Sequence, residues 1–312
     1  MLHACSLSRA ILDYPYPRGA AMIGPSYNSA RYVGAIAHPF QSRERVVAIV
    51  WAYLDDTGTH SGSRIVGVLG WVASTDAWIS WENKWRAFLA KYQLPNGWKH
   101  SEFGSVHAGR HGDYRDWSEA KWLSARRAVW ELLSGDDIFG IGYAVVVPHY
   151  LGVLAEGQYE LPSDPYEFCL DRCLSLILHR SYNLPHGEGI AIYCDQSKAQ
   201  ERVGNALATW HERYVTLYAD IGYRGVQTST TYGSRMKYIP LQAAGIIATE
   251  IYRGCECFLQ GLRREEIDQR HPILRELRER GYLNDVLIYS RDEMLAELKR
   301  GGPSVARFGM KR

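Results

Sequence analysis

The chain is poor in cysteine, and several other features that would narrow its class are also missing. Six cysteines in 312 residues are too few and too scattered for a disulfide framework. The thiols therefore read as free and buried, in a reducing cytoplasm. Cys169 and Cys173 lie one helical turn apart and Cys255 and Cys257 almost adjacent, spacings that suit a zinc ribbon or finger poorly. No uninterrupted apolar run reaches the roughly 18 residues of a membrane span, so no membrane partner is expected. The first 21 residues hold no apolar stretch of the secretory kind, and Met22 is a candidate start. A dominant charge sign is missing too. Against 36 Lys and Arg stand 34 Asp and Glu, a net charge of +2, so any anion-binding surface has to be local. No internal repeat is visible.

What is present is a core-forming composition, 46% hydrophobic, and a clear alternation of element types. Residues 1–44 read as a poorly ordered arm. Val46–Leu54 and Ile65–Val72, rich in β-branched and aromatic residues and joined by a Gly/Ser turn, predict a hairpin. Thr75–Tyr92, with Trp78, Trp81, Trp85 and Phe88 near helical spacing, predicts a helix that Pro95-Asn96-Gly97 stops. Ser118–Leu133 predicts a second helix, Phe139–Val147 a strand and Asp164–Tyr182 a helix with Pro165 in its first turn. Gly189–Cys194 reads as a strand, and Gln200–Leu217 and Leu241–Leu262 as helices. Charged helices follow over Glu265–Arg280 and Asp292–Arg300. Strands first and interleaved helices later imply a mixed sheet covered by helices.

Four segments place polar groups where chemistry uses them. Asp55-Asp56-Thr57-Gly58 ends the first strand, and an acid pair there is costly to desolvate unless a cation compensates it. Taken alone, the same tetrapeptide reads first as an Asx-turn. Trp98-Lys99-His100-Ser101-Glu102-Phe103 brackets a carboxylate with aromatics, or forms a surface loop with a Lys–Glu pair. Tyr193-Cys194-Asp195-Gln196-Ser197-Lys198 repeats the pattern of an acid at a strand end, or caps the next helix. Gln242, Gly245 and Thr249 share one face of the long apolar helix, with Glu250 about one position around, an arrangement that tight helix packing also explains. His107 and His111 have helical metal-ligand spacing, but Gly109 and Gly112 make the segment a poor helix.

Together these segments resemble the DUF3800 family, uncharacterised proteins with a ribonuclease H-like fold. Asp-Asp-Thr-Gly at 55–58 matches the family's Asp-Glu-Ser-Gly signature. Trp98 to Phe103 matches its aromatic-x-x-x-acid-Phe segment, Tyr193-Cys194-Asp195-Gln196 its third acidic motif, and Pro240-Leu241-Gln242-Ala243-Ala244 its C-terminal helix. The resemblance covers about residues 46–258. It implies an α/β domain over 45–262, a ribonuclease H-like mixed β-sheet flanked by helices; beyond its reach, the charged segments read as a helical extension over 263–312 with a basic tail. The resemblance also implies a metal-dependent nuclease acting on DNA or RNA, with defence against foreign DNA as the expected setting. Asp55, Glu102 and Asp195 are the expected catalytic and metal-binding acids, holding Mg²⁺ or Mn²⁺, hard ions that prefer oxygen ligands. Asp55 is expected to bridge, with Asp56 and Gly58 in the turn. Lys99, His100 and Lys198 are expected to orient phosphate or move protons, and Gln196, Gln242 and Glu250 to support the site.

One departure matters. The family's last acid is Gly245 here, and Glu250 sits about 140° around the helix from it, a poor substitute. The loss weakens a two-metal site and leaves open a one-metal enzyme, or a protein that binds nucleic acid or a partner without cutting. A third reading comes from Asp56-Thr57-Gly58-Thr59-His60-Ser61, which matches the phosphate loop of actin-like ATPases. Those proteins need a second such loop, and none is found.

Overall fold

In a computed structural model the described residues are 49–58, 60, 62–103, 112–135, 138–182, 189–195, 227–279 and 285–299. The arm over 1–44, the expected helix Gln200–Leu217, Gln196, Lys198, His107, His111 and the basic tail from Arg300 lie outside them. The architecture is α/β, an open mixed sheet with helices on both faces.

Strands β1 (Ile49–Thr57) and β2 (Ile65–Ser74) form the expected hairpin, with Tyr53 opposite Trp71. Gly58 makes its turn with φ 69°, where a Cβ would sit 1.6 Å from the Ile65 carbonyl oxygen. Only glycine tolerates both the left-handed backbone and that approach. β3 (Ile138–Val146) pairs antiparallel with β2, and β4 (Gly189–Asp195) runs parallel to β1. Two strands were not expected. β5 (Gln227–Gly233) pairs parallel with β4, and β6 (Asp285–Tyr289) parallel with β3. The resulting order is β5-β4-β1-β2-β3-β6, so the segment after 262 adds an edge strand to the sheet as well as helices.

Side chains alternate across β1. Trp51 and Tyr53 join the core on one face, Ala52 and Leu54 the core on the other. The first face carries α1 (Thr75–Tyr92), the short α2 (His100–Phe103), α3 (Glu119–Leu133) and α6 (Pro240–Leu259). Ser74 caps α1 by accepting from the Ala77 N–H, and Ser118 caps α3 by accepting from the Lys121 N–H. Small residues let α6 lie against the hairpin, where the Trp71 indole N–H reaches the Ala243 carbonyl at 3.0 Å. The opposite face carries α4 (Val147–Ala155), α5 (Pro165–Tyr182) and α9 (Arg291–Lys299). Two short helices, α7 (Arg264–Arg270) and α8 (Pro272–Glu279), pack on the outer end of α6.

Candidate active site

The ends of the two central parallel strands lie side by side, because Leu54 pairs with Cys194 and the next residues on each strand are acids. Asp55 and Asp195 continue the face of Trp51, Tyr53 and Tyr193, and look toward α6. They share one cation. Arg235, two residues past β5, donates from Nε to Asp195 Oδ2 at 2.7 Å and from Nη2 to Asp55 Oδ2 at 2.8 Å. Asp55 is buried, at 4% exposure, whereas the Arg235 side chain keeps 39%. Burial pushes the Asp55 carboxyl up to about 7; Asp195 and Asp56 push the same way, and Arg235 and the Asp56 N–H oppose them. For Arg235, burial works against the charge, but Asp55 and Asp195 outweigh it and hold the guanidinium above its ordinary value. One cation for two carboxylates leaves the pair under-neutralised.

Gly245 is what admits the guanidinium. A Cβ at this position would lie 2.8 Å from Arg235 Nη1 and 3.2 Å from Asp55 Oδ2. The position where the resembled family carries an acid thus faces Asp55, and here it is given over to an arginine. Gln242, one turn earlier on α6, fixes the backbone of the same turn. Its Nε2 donates to the Arg235 carbonyl at 3.0 Å, while its Oε1 accepts from the Trp85 indole at 3.0 Å and the Trp98 N–H at 2.8 Å. An open groove of about 650 Å³, lined by Arg86, Leu89, Pro95, Met236 and Ile239, runs beside this turn.

The other expected residues are dispersed. Glu102 lies on the short helix α2 and pairs with Lys99 at 3.2 Å, the ion pair but not the loop of the alternative reading. Among the described residues no group of three or more His, Cys, Asp or Glu is placed to hold a metal ion. Asp56 alternates to the opposite face of β1 and borders a cavity of about 10 Å³ whose lining includes Val68, Tyr166, Leu170 and Cys194 as well as Asp55 and Asp195. Its buried Oδ2 has no hydrogen-bond partner there.

His100 and Glu250 belong to a separate cluster. His100 Nε2 meets Glu250 Oε1 at 2.6 Å, and His271 Nδ1 lies 3.5 Å from Glu250 Oε2. Burial raises the Glu250 carboxyl, but hydrogen bonds from both imidazoles prevail and hold it below the ordinary carboxylate range.

Sequence reasoning missed Arg235, one of two basic residues in a Gly-Ser-Arg-Met-Lys turn after an unrecognised strand. The only available signal was indirect, a glycine at 245 where the resemblance leads one to expect an acid. Two carboxylates with oxygen donors suit a single hard cation, which is commonly held by one or two carboxylates plus substrate phosphates. They do not suit a two-metal site, which needs more carboxylates than these strand ends supply. Comparison with protein-family models, with curated proteins and with solved structures finds no match for this chain.

Proposed function

We propose that the protein is a ribonuclease H-like phosphodiesterase acting on nucleic acid, with Asp55 and Asp195 as its carboxylate pair and Arg235 as their resident counter-ion. The strand order, with an antiparallel β1-β2-β3 meander and β4 and β5 added in parallel beside β1, supports the fold assignment. The observation that carries the activity is the convergence of both Oδ2 atoms on one guanidinium. A strand-end acid pair that retains a proton near neutrality despite an arginine is a pair that further positive charge would stabilise. Asp55 and Asp195 would hold a single Mg²⁺ or Mn²⁺, which when bound supplies Lewis-acid charge on a phosphoryl oxygen and acidifies a water. Arg235, released from the carboxylates, offers a planar fork suited to a phosphate. Gln242 keeps the backbone of that turn in place while the side chain changes partners.

The space at Gly245 favours a second reading, in which Arg235 locks the pair permanently and the protein binds nucleic acid without cutting it. A manganese titration separates the two. Under the first reading Mn²⁺ raises the melting temperature by mass action, and labelled DNA or RNA is cleaved by the wild type but not by Asp55→Asn. A flat titration with no cleavage, beside salt-sensitive binding, would overturn the hydrolase and leave the lock.

A further inference from the structure

A chain of side chains that the acid pair does not use runs through the packing of α2, α6 and the α7–α8 turn. Cys257 Sγ lies 3.6 Å from His271 Nε2, and the other nitrogen of that ring lies 3.5 Å from Glu250 Oε2. The second oxygen of Glu250 meets His100 Nε2 at 2.6 Å, and His100 Nδ1 accepts from the Trp98 indole at 3.2 Å. Thiol, imidazole and carboxylate thus stand in the order that activates a nucleophile, with the base oriented by a third group. Glu250 is buried and ionised, so it can stabilise a positive His271. Charged groups near the chain include Arg253, 3.9 Å from Glu250, Arg126 on α3, which feels the Glu250 charge, and Glu256 next to Cys257 on α6.

The other described cysteines differ. Cys169, Cys173, Cys194 and Cys255 are pushed up by burial, and none of their shifts is relieved by a basic side chain. Cys257 has an imidazole partner and, at 9%, the largest exposure of the five. It sits near the outer end of α6, next to Phe258, which is 59% exposed.

We propose that Cys257 is a reactive thiol, activated by His271 and Glu250, whose substrate is a small electrophilic oxidant of the peroxide class. The Cys257 thiolate attacks one peroxide oxygen and the O–O bond breaks. Sulfur is oxidised by two electrons to a sulfenic acid, peroxide is reduced, and the proton that His271 took from the thiol returns to the leaving hydroxide as water. Oxygen added to Sγ then alters the contact that ties α6 to the α7–α8 turn.

The test uses the full chain with Cys5→Ser, which removes the cysteine outside the described residues. Iodoacetamide labelling at about pH 6.5, where an ordinary thiol is only about 1% thiolate, is mapped by mass spectrometry. Cys257 is expected to label at least about tenfold faster than any other cysteine. His271→Gln is expected to remove that advantage at about pH 6.5 and to leave the rate at about pH 9 nearly unchanged. Hydrogen peroxide followed by dimedone is expected to mark Cys257 in the wild type, so the result does not depend on a variant folding. Cys257 labelling no faster than Cys194 or Cys255, or no dimedone adduct after peroxide, would overturn the proposal.

Discussion

Replacing Arg235 by alanine probes the acid pair directly. The substitution removes two charge-assisted hydrogen bonds and leaves Asp55, 4% exposed, with no cation beside it. Bonds of this kind contribute about 1.5–3 kcal/mol each. The arginine side chain is 39% exposed, so solvent screening discounts the sum, to about 2–3 kcal/mol for the two together. In a chain of this size that corresponds to a fall in Tm of roughly 5 °C. The pH dependence has a definite sign. Asp55 has a folded pKa raised to about 7 from an ordinary value of 3.8, so its favourable contribution is complete below the lower value and is lost as pH rises through the upper. Without Arg235 its folded pKa rises further, and the loss extends to higher pH. The difference between wild type and variant should therefore be smaller near pH 6, where protonation of Asp55 leaves mainly the lost Asp195 bond, and grow toward about pH 8.5, where protonation no longer relieves the buried charge. Scanning calorimetry across that range, with and without millimolar Mn²⁺, is the assay. Mn²⁺ should restore more of the lost Tm in Arg235→Ala than it adds to the wild type, because it need not displace a guanidinium. A variant within about 1 °C of wild type at about pH 8.5 would refute the reasoning, since Arg235 would then contribute nothing to holding the pair.

Three further outcomes follow from neighbouring contacts. Gly245→Ala places a methyl 2.8 Å from Arg235 Nη1, and the overpacking should outweigh the roughly 1 kcal/mol that alanine adds to a helix. In a denaturant double-mutant cycle it should be less costly when Arg235 is already alanine. Gln242→Leu leaves the Trp85 indole, the Trp98 N–H and the Arg235 carbonyl without their common partner, and should cost about 2–5 kcal/mol in urea unfolding. Glu250→Gln should flatten the acid limb of the stability profile. Glu250 is held below its ordinary 4.5, so its contribution is present above that value and lost as pH falls, which Tm measured between about pH 6 and pH 3.5 would show.

The elements with strong periodic patterns were legible in the sequence. Thr75–Tyr92 forms the helix its tryptophan spacing predicts, and Ser118 caps the next helix as expected. β5 was not legible, because Gln-Thr-Ser-Thr-Thr-Tyr-Gly is β-branched yet polar and has no apolar run to announce it. β6 was hidden between charged helices by its shortness. At the site, Asp55 and Asp195 were readable because an acid ending an apolar strand is a local pattern. Their pairing depends on β1 and β4 running parallel, which leaves no trace in either segment. Glu102 had the same local appearance, and its one ion pair among these residues is with Lys99, one turn away. Arg235 was invisible because its role depends on a missing side chain at Gly245, ten residues later and on another element.

The tryptophans of α1 bear on how the site can be watched. Trp81 and Trp85 stack with ring centres 4.9 Å apart and planes 16° from parallel, a geometry that couples their electronic transitions. The Trp85 indole is bonded to the same amide side chain that grips the Arg235 carbonyl. Rearrangement of that turn therefore reaches a chromophore through one residue, and ordinary emission and near-ultraviolet circular dichroism should register it without a label.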